Sequence, residues 1–156
     1  MKKYIPENLI IIISGLILFL SSCTPETCFE ETESFLKASF YNNTTKKLQA
    51  PDSLTIYGMN METNKLYNKV LKVQPALIPL KSSKDTCIFI IKINGIADTL
   101  ELRYSSYPHL VSKECGYTFY HRLDTELIYT YHAIKNIYTG NSAITTLNEE
   151  NIRIFY

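Results

Sequence analysis

Polar and apolar side chains alternate with a period of two along much of the chain, and this alternation restricts the fold more than any other feature. Every second side chain is apolar in residues 99–104, and residues 116–123 repeat the pattern with Tyr117, Phe119 and Leu123 on one face. Such alternation is typical of β-strands with one buried face. Apolar residues nowhere keep the 3.6-residue spacing of a helix over three turns. The chain is therefore predicted to be all-β.

Shorter runs with the same alternation, separated by turn signals, raise the predicted number of strands to about seven or eight. The predicted strands cover residues 35–41, 53–57, 76–80, 87–93, 96–104, 116–123, 134–139 and 152–156. Between two of them, Asn94-Gly95 predicts a two-residue type I′ turn, because both residues tolerate a positive φ. Residues 59–75 are predicted to form a long polar loop. Strands at this spacing predict an antiparallel β-sandwich with an immunoglobulin-like architecture, and a closed β-barrel is the alternative.

The first residues of the chain follow a different pattern and do not belong to the predicted domain. Lys2 and Lys3 precede an apolar run at residues 9–20. This run is too short to span a bilayer, which needs about 20 apolar residues. It has the length of the apolar region of a signal peptide. Residues 1–22 are therefore predicted to be a signal peptide that is removed on export.

The residues that follow, Leu20-Ser21-Ser22-Cys23, resemble the lipobox of bacterial lipoproteins. The resemblance implies that the sulfur of Cys23 carries a diacylglycerol and that cleavage leaves Cys23 as the new N-terminus. Each buried CH₂ group contributes about 0.8 kcal/mol, so two or three acyl chains would attach the protein stably to a membrane. Thr24 in place of aspartate favours the outer membrane by the rule for enteric bacteria. We expect the domain to face the periplasm, with exposure on the cell surface as the alternative.

This organisation divides the chain into a signal peptide (1–22), a lipidated N-terminus with a short acidic tether (23–33) and one β-sandwich domain (34–156). A domain of this size is long enough to bury its own core. Removing Lys2, Lys3 and Glu7 from 16 basic and 15 acidic residues leaves 14 of each. Because nucleic-acid-binding proteins normally carry a basic excess, we expect no nucleic-acid partner.

Three cysteines follow the lipidated one, and an oxidising compartment favours their pairing. Cys87 lies in a continuous apolar run, where a cysteine acts as a small hydrophobic side chain. Cys28 and Cys115 lie in loop-like contexts, so we predict a Cys28–Cys115 disulfide, with Cys87–Cys115 as the alternative. Only five residues then separate Cys23 from the domain, which is about 17 Å of extended chain.

The chemically reactive residues do not form a recognisable catalytic or metal-binding pattern. His109, His121 and His132 have no partners at metal-ligand spacing. The sequence contains neither a G-x-S-x-G motif nor a glycine-rich phosphate loop. We therefore expect no enzymatic activity, no cofactor and no metal site.

Tyrosines are concentrated in the C-terminal half, where they suit protein interfaces, sugar stacking or plain sheet packing. Tyr120 and Arg122 share the outward face of one predicted strand, which makes them candidate interface residues. Two hypotheses follow. The chain is an accessory or structural lipoprotein that contacts an envelope protein, or it is a module that binds a glycan or another small ligand.

Four further stretches resemble a family of small lipoproteins of unknown function from Bacteroidota. They are DSLTIYG at 52–58, NGIADTLELRY at 94–104, CGY at 115–117 and ENIRIFY at 150–156. The resemblance implies no catalytic residues, and it favours the pairing of Cys28 with Cys115, since the family pattern has a cysteine at both places. It also implies O-glycosylation at Asp-Ser/Thr-apolar triplets. Ser53 is the better candidate, and Thr99 is the second.

Overall fold

The computed structural model describes residues 28–156, and this part of the chain is all-β, as predicted. The strands in chain order are β1 (Phe35–Tyr41), β2 (Leu54–Gly58), β3 (Lys65–Val70), β4 (Ala76–Pro79), β5 (Thr86–Ile93), β6 (Ile96–Ser112), β7 (Gly116–Leu123), β8 (Ile128–Tyr129), β9 (Asn136–Thr139), β10 (Ala143–Ile144) and β11 (Ile152–Phe155). No helix that could pass through a membrane is found in these residues. The predicted signal peptide, Cys23 and the first part of the tether lie outside the described residues.

The strands form two sheets. The smaller sheet has the order β4-β1-β11-β9, with β1 and β11 parallel and the other two pairs antiparallel. The larger sheet has the order β10-β7-β6-β5-β2-β3, with β8 also paired to β6. This antiparallel sheet curls into about half a barrel.

One hydrophobic core is shared by both sheets. In β1, Leu36, Ala38 and Phe40 are fully buried, as the alternation predicts. The larger sheet contributes Leu100 and Leu102 of β6 among others. Burying one such aliphatic side chain contributes about 1.5–3 kcal/mol. The buried faces of the alternating strands therefore supply the core that holds the two sheets together.

The predicted Asn94-Gly95 turn is confirmed. Asn94 has a φ of 51° and Gly95 a φ of 90°, and Ile93 pairs directly with Ile96 across the turn. Both central residues of a type I′ turn need a positive φ, which a residue with a bulky or branched side chain rarely adopts. This local signal therefore joins β5 to β6 in the expected register.

The number and direction of strands differ from the expectation. Residues 28–156 contain eleven strands instead of seven or eight, and the parallel β1–β11 pair makes one sheet mixed instead of antiparallel. The predicted polar loop at 59–75 contains β3, whose side chains are almost all exposed. An edge strand that buries only Tyr67, and that only in part, shows no apolar alternation, and β8 and β10 are only two residues long.

β1 is buried on both faces because the segment before β11 covers its outer side. The side-chain oxygen of Asn151 accepts a hydrogen bond from the backbone N–H of Lys37 at 2.8 Å. The Asn151 amide donates to the carbonyl oxygens of Asn141 and Ala143 at 3.0 and 2.8 Å. The Lys37 ammonium donates to the carbonyl oxygen of Leu147 at 2.7 Å, and burial lowers the pKa of Lys37.

Candidate functional site on the arm formed by β6 and β7

The end of the β6–β7 hairpin, residues 105–122, extends beyond the core, and we call it the arm. The last core residues on the two strands are Tyr104 and Leu123, which pair with each other. Beyond them most side chains are half-buried or exposed, up to the turn at residues 113–115. At about 3.3 Å per residue the arm is roughly 26 Å long. The sequence predicted that this strand ends at residue 104, but β6 continues to Ser112. The apolar alternation that marks the strand in the sequence stops where the strand leaves the core.

The N-terminal segment, residues 28–34, runs along the β7 edge of the arm. The hydroxyl of Ser34 donates to the carbonyl oxygen of Phe119, and that of Thr118 donates to the carbonyl oxygen of Thr32. At the tip the structure contains the predicted Cys28–Cys115 disulfide, with the two Cα atoms 4.8 Å apart. The chain that leads back towards Cys23 therefore emerges at the tip of the arm.

One face of the arm is apolar. Residues directly opposite each other in an antiparallel pair share a face, and here Pro108 pairs with Phe119 and Leu110 with Tyr117. The exposed fractions are 49% for Leu110, 74% for Tyr117 and 46% for Phe119. The sequence pattern assigned Tyr117 and Phe119 to the same face as buried Leu123. They do share that face, but only Leu123 reaches the core.

The opposite face of the arm is aromatic and polar. Tyr107 and Tyr120 pair across the strands with ring centroids 6.2 Å apart, and the His109 ring stacks on Tyr120 at 4.1 Å. The hydroxyl of Tyr120 lies 3.1 Å from that of Thr146. Arg122 lies on this face and is exposed. The predicted interface residues Tyr120 and Arg122 thus share a face, on which Tyr120 is held by neighbours on both sides.

A hydrogen-bonded cluster lies at the base of the arm. His121 is buried, its Nδ1 lies 2.8 Å from the hydroxyl of Ser106, and burial lowers its pKa. Its ring packs edge-on against Tyr104, whose hydroxyl lies 3.0 Å from the free thiol of Cys87. Burial is the largest cause of the raised pKa of Tyr104, and the hydrogen bond with Cys87 raises this pKa further. The lowered pKa favours the neutral imidazole of His121, and the raised pKa favours the protonated hydroxyl of Tyr104.

A cavity of about 450 Å³ lies between the β2–β3 turn, the segment after β4 and the edge of β5. Its apolar lining includes Met59, Met61, Leu66, Leu80 and Phe89. Lys81 and Lys84 also line it, and the rest of the lining contains no acidic residue. We call it the β2–β5 cavity. Its lining contains no tyrosine, so the C-terminal tyrosines that could stack on a sugar do not contribute to this cavity.

Asp98 is a buried acidic residue whose role the sequence did not indicate. Its Oδ1 accepts hydrogen bonds from the Thr130 hydroxyl at 2.6 Å and from the backbone and ring of His132 at 2.8 and 3.0 Å. Its Oδ2 accepts from the backbone N–H groups of Ala133 and Ile134 at 2.7 and 2.9 Å. Burial alone would raise the pKa of Asp98, but these hydrogen bonds lower it. Asp98 therefore fastens the loop after β8.

The remaining sequence-predicted positions are spread over the surface. Ser53 is half-buried at the entry to β2, and its backbone N–H donates to the side-chain oxygen of Asn94 at 3.0 Å. Thr99 follows buried Asp98 inside β6. Among residues 28–156, no group of three His, Cys, Asp or Glu side chains is arranged to hold a metal ion.

Residues 53–156 match the model of a family of unknown function, DUF6452. The matched region includes the arm and Cys115, and it begins after β1. No curated protein and no solved structure matches the chain.

Proposed function

The chain belongs to the DUF6452 family, whose function is not known, and we propose that it is an accessory lipoprotein of the cell envelope. In this proposal Cys23 carries the lipid that anchors the chain in the outer membrane, with the domain on the periplasmic side. The protein acts by contacting an envelope protein in the same membrane. The resemblance to small lipoproteins of Bacteroidota supports the anchor.

The observation that carries the proposal is the disulfide at the tip of the arm. Cys28 is five residues after Cys23 and is bonded to Cys115. An extended chain of this length spans about 17 Å. A lipid on Cys23 would hold the arm close to the bilayer, within reach of proteins embedded there.

The aromatic face of the arm is the surface that we assign to this contact. Tyrosine and arginine are enriched among the residues that dominate protein interfaces. Tyr120 is packed between His109, Tyr107 and Thr146, so little side-chain entropy is lost when a partner binds it. Tyr107 and Arg122 are exposed beside it.

Site-specific photo-cross-linking tests this assignment. A photoreactive phenylalanine analogue replaces Tyr107 in the full-length lipoprotein, and adducts formed in native membranes are identified by mass spectrometry. We expect one envelope protein as the main adduct. Its yield should fall at least about tenfold with Arg122→Ala, since truncating a hot-spot arginine costs about 2 kcal/mol or more, and the adduct should disappear with Cys23→Ala.

The matched control places the same analogue at Tyr138, which is exposed on β9 of the other sheet. An adduct of equal yield from Tyr138 would show that the arm has no special role. Cross-linking from Tyr107 that survives Cys23→Ala would show that the lipid anchor is not needed for the contact.

The β2–β5 cavity favours a second candidate function, a module that binds a small amphiphile. Its apolar lining with two lysines and no carboxylate suits an apolar molecule with a negative group. A diazirine-bearing fatty acid is the probe. We expect it to label Met59, Met61 or Phe89, and labelling should fall with Lys81→Glu but not with Lys47→Glu, an exposed lysine elsewhere. Labelling spread evenly over the surface would reject this candidate.

A further inference from the structure

We propose that the apolar face of the arm docks on the surface of the bilayer to which the protein is anchored, so that Pro108, Leu110, Tyr117 and Phe119 contact lipid. The inference rests on the lipid anchor at Cys23 proposed above and goes beyond it. An anchor alone leaves the domain free to tumble on its tether. A docked arm fixes one face of the domain against the membrane.

The chemistry of this face suits the boundary between lipid headgroups and acyl chains. Its four side chains form two cross-strand pairs, Pro108 with Phe119 and Leu110 with Tyr117, and three of them are about half or more exposed. None of the four carries a charge. Tyrosine prefers the membrane interface because its ring is apolar and its hydroxyl stays hydrated. Tyr117 is the most exposed of the set, at 74%.

The position of the chain end supports a bilayer as the occupant of this face. The N-terminal segment is bound along the arm by Ser34 and Thr118, and it ends at Cys28, which is bonded to the tip. The five residue steps from Cys23 to Cys28 span at most about 17 Å. Tyr117 is two residues from Cys115, so the apolar face begins next to the point where the anchor leaves the domain. Phe29, beside the bridged Cys28, adds a further large apolar side chain near the tip and is 91% exposed.

The charged residues near the tip indicate whether the contact with lipid is electrostatic or apolar. Lys113 and Glu114 lie in the tip turn, and Glu30, Glu31 and Glu33 lie in the adjoining segment. This is not the lysine-rich surface that binds anionic lipid by electrostatic attraction. The contact is therefore apolar and aromatic, and we expect it to occur on zwitterionic lipid and to be insensitive to salt.

Docking one face of the arm leaves the other face available. Side chains of adjacent residues in a strand point to opposite faces, so Tyr107, Tyr120 and Arg122 point away from the lipid when Tyr117 and Phe119 contact it. The bilayer contact would thus orient the aromatic face for the protein contact proposed above.

Tryptophan fluorescence tests the proposal directly, because the natural chain contains no tryptophan. Tyr117→Trp places a single probe on the apolar face of the lipidated protein, which is reconstituted in phosphatidylcholine vesicles with brominated acyl chains. The matched control is Tyr131→Trp, which replaces a tyrosine that is 67% exposed. Tyr131 lies two residues after Tyr129, which pairs with Leu100 on β6. Leu100 is ten residues before Leu110, the partner of Tyr117, so the two probe positions are separated by about 33 Å along the strand.

We expect the probe at position 117 to be quenched by the brominated lipid at least about threefold more than the probe at position 131, and to emit at shorter wavelength. Adding Leu110→Glu to Tyr117→Trp should remove the difference. Vesicle-bound protein with equal quenching at both positions would overturn the docking and leave the anchor intact. A blue shift at position 117 without lipid quenching would mean that protein, including a second copy of this chain, covers the face. Protein that does not attach to vesicles at all would reject both the anchor and the docking.

Discussion

Two buried polar side chains, Asp98 and Asn151, each satisfy several backbone groups far away in the sequence. Asp98 lies in β6 and holds the loop at 130–134, while Asn151 links β1 to the segment at 141–143. A buried backbone group that loses its partner costs about 1–3 kcal/mol. These two residues therefore stabilise connections that the apolar core does not reach.

Asp98→Asn should lower the free energy of unfolding by about 2–3 kcal/mol, because an amide group would face N–H donors at one of the two oxygen positions. Urea denaturation measures the change. Asp124→Asn is the control, since Asp124 is exposed. Equal stability of the two variants would contradict the role assigned to Asp98.

The lowered pKa of Asp98 predicts that the protein loses stability at acidic pH. The folded-state pKa of Asp98 lies below its ordinary value of 3.8, so the unfolded chain binds the proton more tightly. The contribution of Asp98 to the free energy of unfolding is complete above the unfolded-state pKa of about 4. It is lost as the pH falls through the lower folded-state pKa. The free energy of unfolding should decrease below about pH 4 in the natural protein and less steeply in Asp98→Asn. Denaturation curves at pH 7, 4 and 3 measure this difference.

Asn151→Ala should cost about 2–3 kcal/mol, since it leaves the N–H of Lys37 and two carbonyl oxygens without their partner. Asn148→Ala is the matched control at an exposed position three residues away. The two variants are compared by thermal and urea unfolding. A loss of similar size in both would indicate a general effect of the loop.

The arm is the element that depends most on a covalent bond. Within the larger sheet, β10 pairs with the arm only at its base, at Arg122 and His121. Towards the tip, the arm is flanked by the N-terminal segment and closed by the disulfide. The bond between residues 87 positions apart ties that segment to the arm.

Cys28→Ser should lower the free energy of unfolding, with about 4–5 kcal/mol as the upper figure from chain entropy, and should make residues 28–34 accessible to protease. Cys115→Ser and the double variant should behave in the same way, because each removes the same bond. Cys87→Ser is the control, since this thiol is free. Unfolding and limited proteolysis measure the outcome, and a Cys28→Ser protein as stable as the natural one would contradict it.

At the scale of the whole molecule, the first and the last strand of the described chain meet in the centre of the smaller sheet. β11, the last strand, lies between β1 and β9 and pairs in parallel with β1. Ile154 is fully buried, opposite Phe40 on one side and Ile137 on the other. The mixed sheet therefore brings together strands from the two ends of the described chain.

Ile154→Ala should destabilise the protein by about 3 kcal/mol, because it removes buried methyl groups and leaves a cavity between two strands. The control is Ile128→Ala, which changes the same residue type where it is 40% exposed, and it should cost less than about 1 kcal/mol. Urea denaturation of both variants gives the comparison. A cost at position 154 no larger than at 128 would mean that the sheet adapts to the loss.

Part of the candidate site could be recognised without the structure. The sequence placed Tyr120 and Arg122 on one face of a strand and paired Cys28 with Cys115. The first inference used the period of the strand. The second used the loop-like surroundings of the two cysteines, which left Cys87–Cys115 as the alternative, together with the family resemblance. The exposure of Tyr117 and Phe119 was not predicted, because it depends on where the rest of the chain stops covering β7. The β2–β5 cavity was not predicted either, since its walls come from three separate segments.

By itself, the sequence determined the all-β class, most strand positions and the turn at Asn94-Gly95. These follow from alternation and positive φ, which are properties of neighbouring residues. The signal peptide, the lipid on Cys23 and the glycan on Ser53 remain predictions. Only the tertiary structure decided that β11 pairs with β1 in parallel, that β3 joins the larger sheet and that the arm leaves the core. The partner of a strand and the solvent exposure of its side chains depend on segments that are distant in the chain. A pattern of neighbouring residues therefore does not predict them.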